Sequence, residues 1–153
     1  RSTVLDIGLA ETVSAVPLSE PAGDAPVLRN ELVVLKTAAP EQALAFYGAR
    51  LGLGLLFDRT MSKAGSRLAQ FSCGSSLLEI SHDAAAAAAG TPDTIWGIGW
   101  SVASAEAAHR RLAAAGRNVS DVKDGAAPGT RVFTARDGTC GLPTIFVERV
   151  GIR

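Results

Sequence analysis

The sequence predicts an α+β fold in which one βαβββ unit is written twice about a pseudo-twofold axis. Three observations carry that reading. Leu32–Tyr47 and Gly97–Leu112, 65 positions apart, each run from an apolar strand into an amphipathic helix, and at that offset Ala38 falls on Ala103, Glu41 on Glu106 and Ala43 on Ala108. A glycine then stops each helix, Gly52 in the first copy and Gly116 in the second. Finally, each copy breaks into three short strand-like runs. The period is too long for a solenoid and occurs only twice, so it marks a duplicated module.

The elements follow in order. Val13 to Pro26 is rich in Ala, Ser, Pro and Gly, and Pro17, Pro21 and Pro26 interrupt any regular element. Residues 1–27 therefore read as an N-terminal segment and linker, with one short strand over Thr3–Leu9, and 28–150 as the folded domain. Leu32–Thr37 is β-prone. Pro40 suits a first helical position, with Glu41 behind it favourable to the helix dipole. Ala43, Phe46, Tyr47 and Leu51 share one apolar stripe up to Gly52. Strands are expected at Leu55–Thr60, Arg67–Cys73 and Ser76–His82. The second copy repeats the order: strand Ile95–Val102, a helix from an N-cap at Ser104 to Gly116, then Val119–Lys123, Arg131–Arg136 and Thr144–Glu148.

With 153 residues the chain makes one ordinary domain that needs no disulfide or metal to fold. Lys plus Arg equals Asp plus Glu at 15 each, which offers no basic field to nucleic acid or an anionic membrane. A small, largely neutral organic molecule is the expected partner. Cys73 and Cys140 are widely spaced and read as small core-filling thiols of a reduced, cytoplasmic compartment. The uncharged run Ala84–Pro92 is too short to span a bilayer. The chain begins at Arg1 without a signal-peptide pattern, which leaves it readable as a piece of a longer protein with a partner module, or as a homodimer. No phosphate-cradling glycine loop or serine nucleophile motif is present, and no cofactor is implied.

Leu35–Leu53, with the pattern Leu-x-Thr-x-x-Pro-Glu-x-Ala-x-x-Phe-Tyr-x-x-x-Leu-Gly-Leu, resembles the opening of vicinal oxygen chelate domains: glyoxalase I, bleomycin-resistance proteins and extradiol dioxygenases. The resemblance covers about residues 28–148. It implies that the two modules form a cupped mixed sheet with helices on the convex side. Enzymes of that family hold a divalent metal with one residue from the first and last strand of each module. By resemblance those positions are Leu32, Glu79, Gly97 and Thr144, or Ile145 if the register slips by one. Only Glu79 carries a competent donor, so no metal is expected there. His82 lies three positions from Glu79 on a strand and faces the other way. His109, beside Arg110 and Arg111, reads as part of a solvated helix face.

Strand alternation extends the inward set to Leu32, Val34 and Lys36, to Leu77, Glu79 and Ser81, and to Ile95, Gly97, Gly99 and Ser101. Gly97 and Gly99 either leave room for an organic ligand or permit close packing at the module junction; both readings stand. Glu79 is the expected catalytic residue, because an apolar cup raises a carboxyl pKa toward the range of a proton shuttle. The alternative is pairing with Arg67 or Arg131. Trp96 and Trp100 should face the helices, with the cup rim open to Trp96. Gly125–Thr130 reads as a lid, with Arg131 at its end as an anchor for a carboxylate or enolate oxygen. The function expected is a metal-independent lyase or isomerase; a sequestering protein of the bleomycin-resistance type and a non-catalytic module are the competing readings.

Overall fold

Polar residues at its start hide the length of the first strand, which runs over Val27–Lys36 (β1) in a computed structural model that describes residues 26–61, 65–84 and 90–151. The Thr3–Leu9 strand and nearly all of the linker expected from the sequence lie outside those residues. After β1 come α1 (Pro40–Leu44), continued as a π-helical turn over Ala45–Arg50, and strands β2 (Gly54–Thr60), β3 (Arg67–Cys73) and β4 (Ser76–His82). The second copy comprises β5 (Thr94–Val102), α2 (Ala105–Ala114), β6 (Lys123–Asp124), β7 (Thr130–Ala135) and β8 (Thr144–Arg149). No helix among the described residues is long and apolar enough to cross a membrane.

The eight strands of the described residues form one mixed sheet in the order β2-β3-β4-β1-β5-β8-β7-β6. Within each module the first strand lies parallel to the last, β1 to β4 and β5 to β8. The modules meet along the antiparallel β1–β5 pair, where Leu32 faces Gly99 and Val34 faces Gly97. This register is what a twofold requires. Moving the pair Leu32–Gly99 by the 65-residue repeat returns Gly97–Val34, the pair observed.

The helices of the described residues cover one face only. Ala43 and Tyr47 pack with Leu35, Ala69, Phe71 and Ile80, and Ala105, Ala107 and Ala108 pack with Val102, Phe133, Ala135 and Phe146. On the opposite face Leu32, Val34 and Val147 form a third cluster. Phe57 of β2 and Val132 of β7 line one cavity on that face. Those strands are six steps apart, about 29 Å in a flat sheet, so the sheet is curled into the expected cup.

Several local expectations are corrected. The π turn shifts the phase of the first helix, so Phe46 is 48% exposed while Tyr47 stays buried. The strand expected at Val119–Lys123 is reduced to β6 and an isolated Val119–Ala135 bridge. There the Ser120 hydroxyl, at 3.0 Å, accepts from the Thr134 amide in place of a backbone carbonyl. Ser104 does cap α2, accepting from the Ala107 amide at 3.2 Å. Cys73 and Cys140 are exposed rather than core-filling. His109 packs nearly perpendicular to the Phe133 ring, with centroids 5.3 Å apart, instead of lying on a solvated face.

Candidate functional site

Strand pairing arranges the concave side chains in rows across β4, β1 and β5. Leu77, Leu32 and Gly99 form one row, Glu79, Val34 and Gly97 the next, and Ser81, Lys36 and Thr94 the third. The glycines are packed over: a Cβ on Gly99 would lie 2.6 Å from Leu32 Cδ2, and one on Gly97 would lie 2.5 Å from the Pro143 carbonyl oxygen. Of the two readings of these glycines, the structure supports close packing at the module junction. Ser101, further along β5, is buried and lines neither cavity of the cup.

A cavity of about 70 Å³ opens beside the first two rows, with Leu77 and Glu79 on one wall and Val132 and Val147 on the other. Ala126 and Ala127, from the loop expected to be a lid, also line it. Glu79 is the chemically distinctive group. Its Oε2 accepts one hydrogen bond, from Gln70 Nε2 at 3.1 Å, and burial pushes its pKa above the ordinary carboxyl value, an effect that the Gln70 bond partly opposes. Neither arginine weighed as its partner reaches it. Arg67 binds Asp58 and Glu41, and Arg131 binds Glu106 of α2 at 2.7 Å on the convex side. Arg131 therefore does not line the cup. Glu41 and Glu106 occupy equivalent places in the repeat, so the two arginines make the same contact from a strand to the first turn of a helix.

Six further cavity residues escaped the sequence reading: Glu31, Phe57, Gln70, Val132, Val147 and Arg149. Glu31 sits where the β1–β5 register slips between Asn30 and Leu32, and the irregularity turns it into the cup against its alternation. It is 2% exposed, accepting from Arg149 Nε at 2.7 Å and Arg29 Nη2 at 3.2 Å. A second slip, between Val34 and Leu35, pairs Ile95 with Leu35 on the helix side instead of in the cup, leaves Trp96 without a partner in β1 and packs it on the concave cluster, while Trp100 faces α2 as expected. Gln70 was within reach of the sequence: a two-residue turn at Gly74–Ser75 fixes it opposite Glu79.

The third row borders a separate cavity of about 150 Å³, lined by Lys36, Ser81 and Thr94 among others. Thus the structure brings Leu32, Leu77 and Glu79 to one cavity and Lys36 and Ser81 to another, with Val34 in the floor between them.

The family's metal positions do not suit an ion. Ile145, on the concave face, takes the fourth place, while the Thr144 hydroxyl donates to the Leu142 carbonyl. The donor set is then Leu32, Glu79, Gly97 and Ile145, one carboxyl and three groups without a donor atom, and no step is derived through a metal. His82 Nδ1 is engaged with the Thr37 carbonyl at 3.0 Å.

A family model described as Glyoxalase/Bleomycin resistance protein/Dioxygenase superfamily matches residues 31–142. Among solved structures, methylmalonyl-CoA epimerase from Mycobacterium tuberculosis superposes with a TM-score of 0.69 at 18% identity, covering 81% of this chain and 89% of that one. A variant of Streptomyces coelicolor methylmalonyl-CoA epimerase in complex with 2-nitronate-propionyl-CoA gives 0.70 at 18% identity, over 83% and 98% of the two chains. At that identity the likeness is one of fold. No curated protein sequence matches the chain.

Proposed function

Because the chain belongs to the glyoxalase, bleomycin-resistance protein and dioxygenase superfamily, we propose that its cup binds a small, largely apolar organic molecule and that Glu79 transfers a proton to or from it. The reaction class is that of a metal-independent lyase or isomerase. The observation that carries this reading is the environment of Glu79: a concave-face carboxyl, half-buried beside Leu77, with one donor and, among the described residues, no cation in contact. Such a group holds its proton closer to neutral pH than a solvated carboxylate, so it can give and take one in the same working range. Gln70 fixes one oxygen and leaves the other for the ligand. Epimerisation is itself proton transfer at carbon, and the fold's likeness to solved epimerases supports the assignment.

The competing reading, ligand sequestration without chemistry, draws on the apolar walls formed by Leu32, Phe57, Val132 and Val147. Solvent exchange separates the two. A ketone, a carboxylic acid and a thioester, each with a proton on the carbon next to the carbonyl, are incubated in deuterium oxide and followed by proton NMR. The proton-transfer reading expects exchange of at least one of them by the wild type and not by Glu79→Gln. Binding without exchange favours sequestration, and equal exchange by Glu79→Gln removes Glu79 from the chemistry.

A further inference from the structure

Of the three rows across β4, β1 and β5, the one beyond Glu79 is polar on every strand. Ser81, Lys36 and Thr94 are direct register partners on β4, β1 and β5, so the lysine has a hydroxyl residue on the neighbouring strand to either side, with backbones about 4.8 Å apart. Among the described residues none of these three side chains has a hydrogen bond or ion pair. All three line the cavity of about 150 Å³. The other polar groups there are occupied: the Thr37 hydroxyl accepts from the Ala39 amide at 3.0 Å, and Asp83 and Thr91 have interactions of their own. One cation with three donor hydrogens, flanked by two hydroxyl donors, matches a group carrying several acceptor oxygens and a negative charge.

We propose that Lys36, Ser81 and Thr94 form a subsite for an oxyanion, a carboxylate or phosphate, at one end of the cup's ligand. The inference rests on reading the cup as the ligand site and narrows its occupant to a molecule with an apolar body and one acidic end. Lys36 lies two residues beyond Val34, the partner of Glu79, which sets the subsite about 7 Å along the strands from the carboxyl. The acidic group therefore sits a few bonds away from the atom that Glu79 addresses. With the charge held at Lys36, the apolar part is left to Val34 and the first cavity.

The test uses butyrate, monobutyl phosphate and the neutral isostere butyramide, titrated into the folded protein while amide NMR signals of Lys36, Ser81 and Thr94 are followed. At low ionic strength at least one anion is expected to bind saturably, about tenfold or more tighter than butyramide, and to weaken with added salt. Lys36→Gln, an exposed substitution that keeps hydrogen-bonding capacity, should lose about tenfold or more of that affinity, and Lys36→Arg should retain most of it. Tighter binding of butyrate or of the phosphate assigns the kind of oxyanion. Butyramide binding as well as the anions, Lys36→Gln binding as well as wild type, or no perturbation at the three amides would each overturn the subsite. None of these outcomes depends on Glu79, whose role is read separately by solvent exchange.

Discussion

Replacing Gly97 by alanine separates the two meanings of a glycine in the floor of the cup by the sign of its effect. If Gly97 bordered empty space, an added methyl would stabilise the protein by about 0.4–1 kcal/mol through the unfolded chain alone. The structure places the Pro143 carbonyl oxygen 2.5 Å from that methyl. Ordinary contact requires nearly 1 Å more, and the same oxygen accepts from the Ile98 amide at 3.2 Å, so the loop cannot retreat without losing that bond. Overpacking of this kind costs about 1–3 kcal/mol, and the backbone nature of the obstacle puts Gly97→Ala in the upper half. The melting temperature should fall by about 5–10 °C. Gly99→Ala meets the Leu32 side chain, which can be trimmed: Leu32→Ala in the same chain should recover about 1 kcal/mol relative to additivity. The assay is thermal unfolding of the four variants and wild type. A gain in stability in either single variant would refute the packing argument and restore the cup floor as open volume.

Ionisation of Glu79 should weaken the fold, because its folded pKa lies above the ordinary value of 4.5: its contribution is fully present below that value and lost as pH rises through the folded pKa. Glu79→Gln should therefore melt higher than wild type near neutrality, with the gap closing in acid; a constant gap would contradict this. Glu31→Gln leaves Arg149 and Arg29 facing a neutral group and should cost about 2–4 kcal/mol, less than a wholly buried pair because both arginines reach water, as chemical denaturation would show. Arg131→Met should cost under about 1 kcal/mol and leave ligand affinity unchanged, since its partner Glu106 lies on the convex side. Ser104→Ala should cost about 1 kcal/mol in thermal unfolding through loss of the α2 cap.

Legibility from sequence follows the kind of interaction involved. The 65-residue repeat, the strand boundaries near Arg67–Cys73 and Ser76–His82, and the placement of Glu79 next to Leu77 all follow from periodicity and turn residues, which are local. Residues at two register slips escaped alternation. Glu31 and Trp96 each occupy such a position on the β1–β5 pair, and one extra residue there turns a side chain to the other face. Arg149 escaped for a different reason: its pairing with Glu31 spans two modules and 118 residues, with no local trace. Arg131 was drawn toward the cup by its loop, yet the repeat already matched Glu106 to Glu41, and with it the pairing that holds Arg131 outside.

The most direct measurement is a carbon-detected NMR titration of the Glu79 side-chain carboxyl in the free protein, assigned by its loss in Glu79→Gln. The account predicts a midpoint clearly above 4.5, because the cup withholds water from the carboxylate and Gln70 returns only one hydrogen bond. A midpoint at or below 4.5 would mean that the group is solvated or paired with a cation, and the proton-transfer role assigned to it would fall.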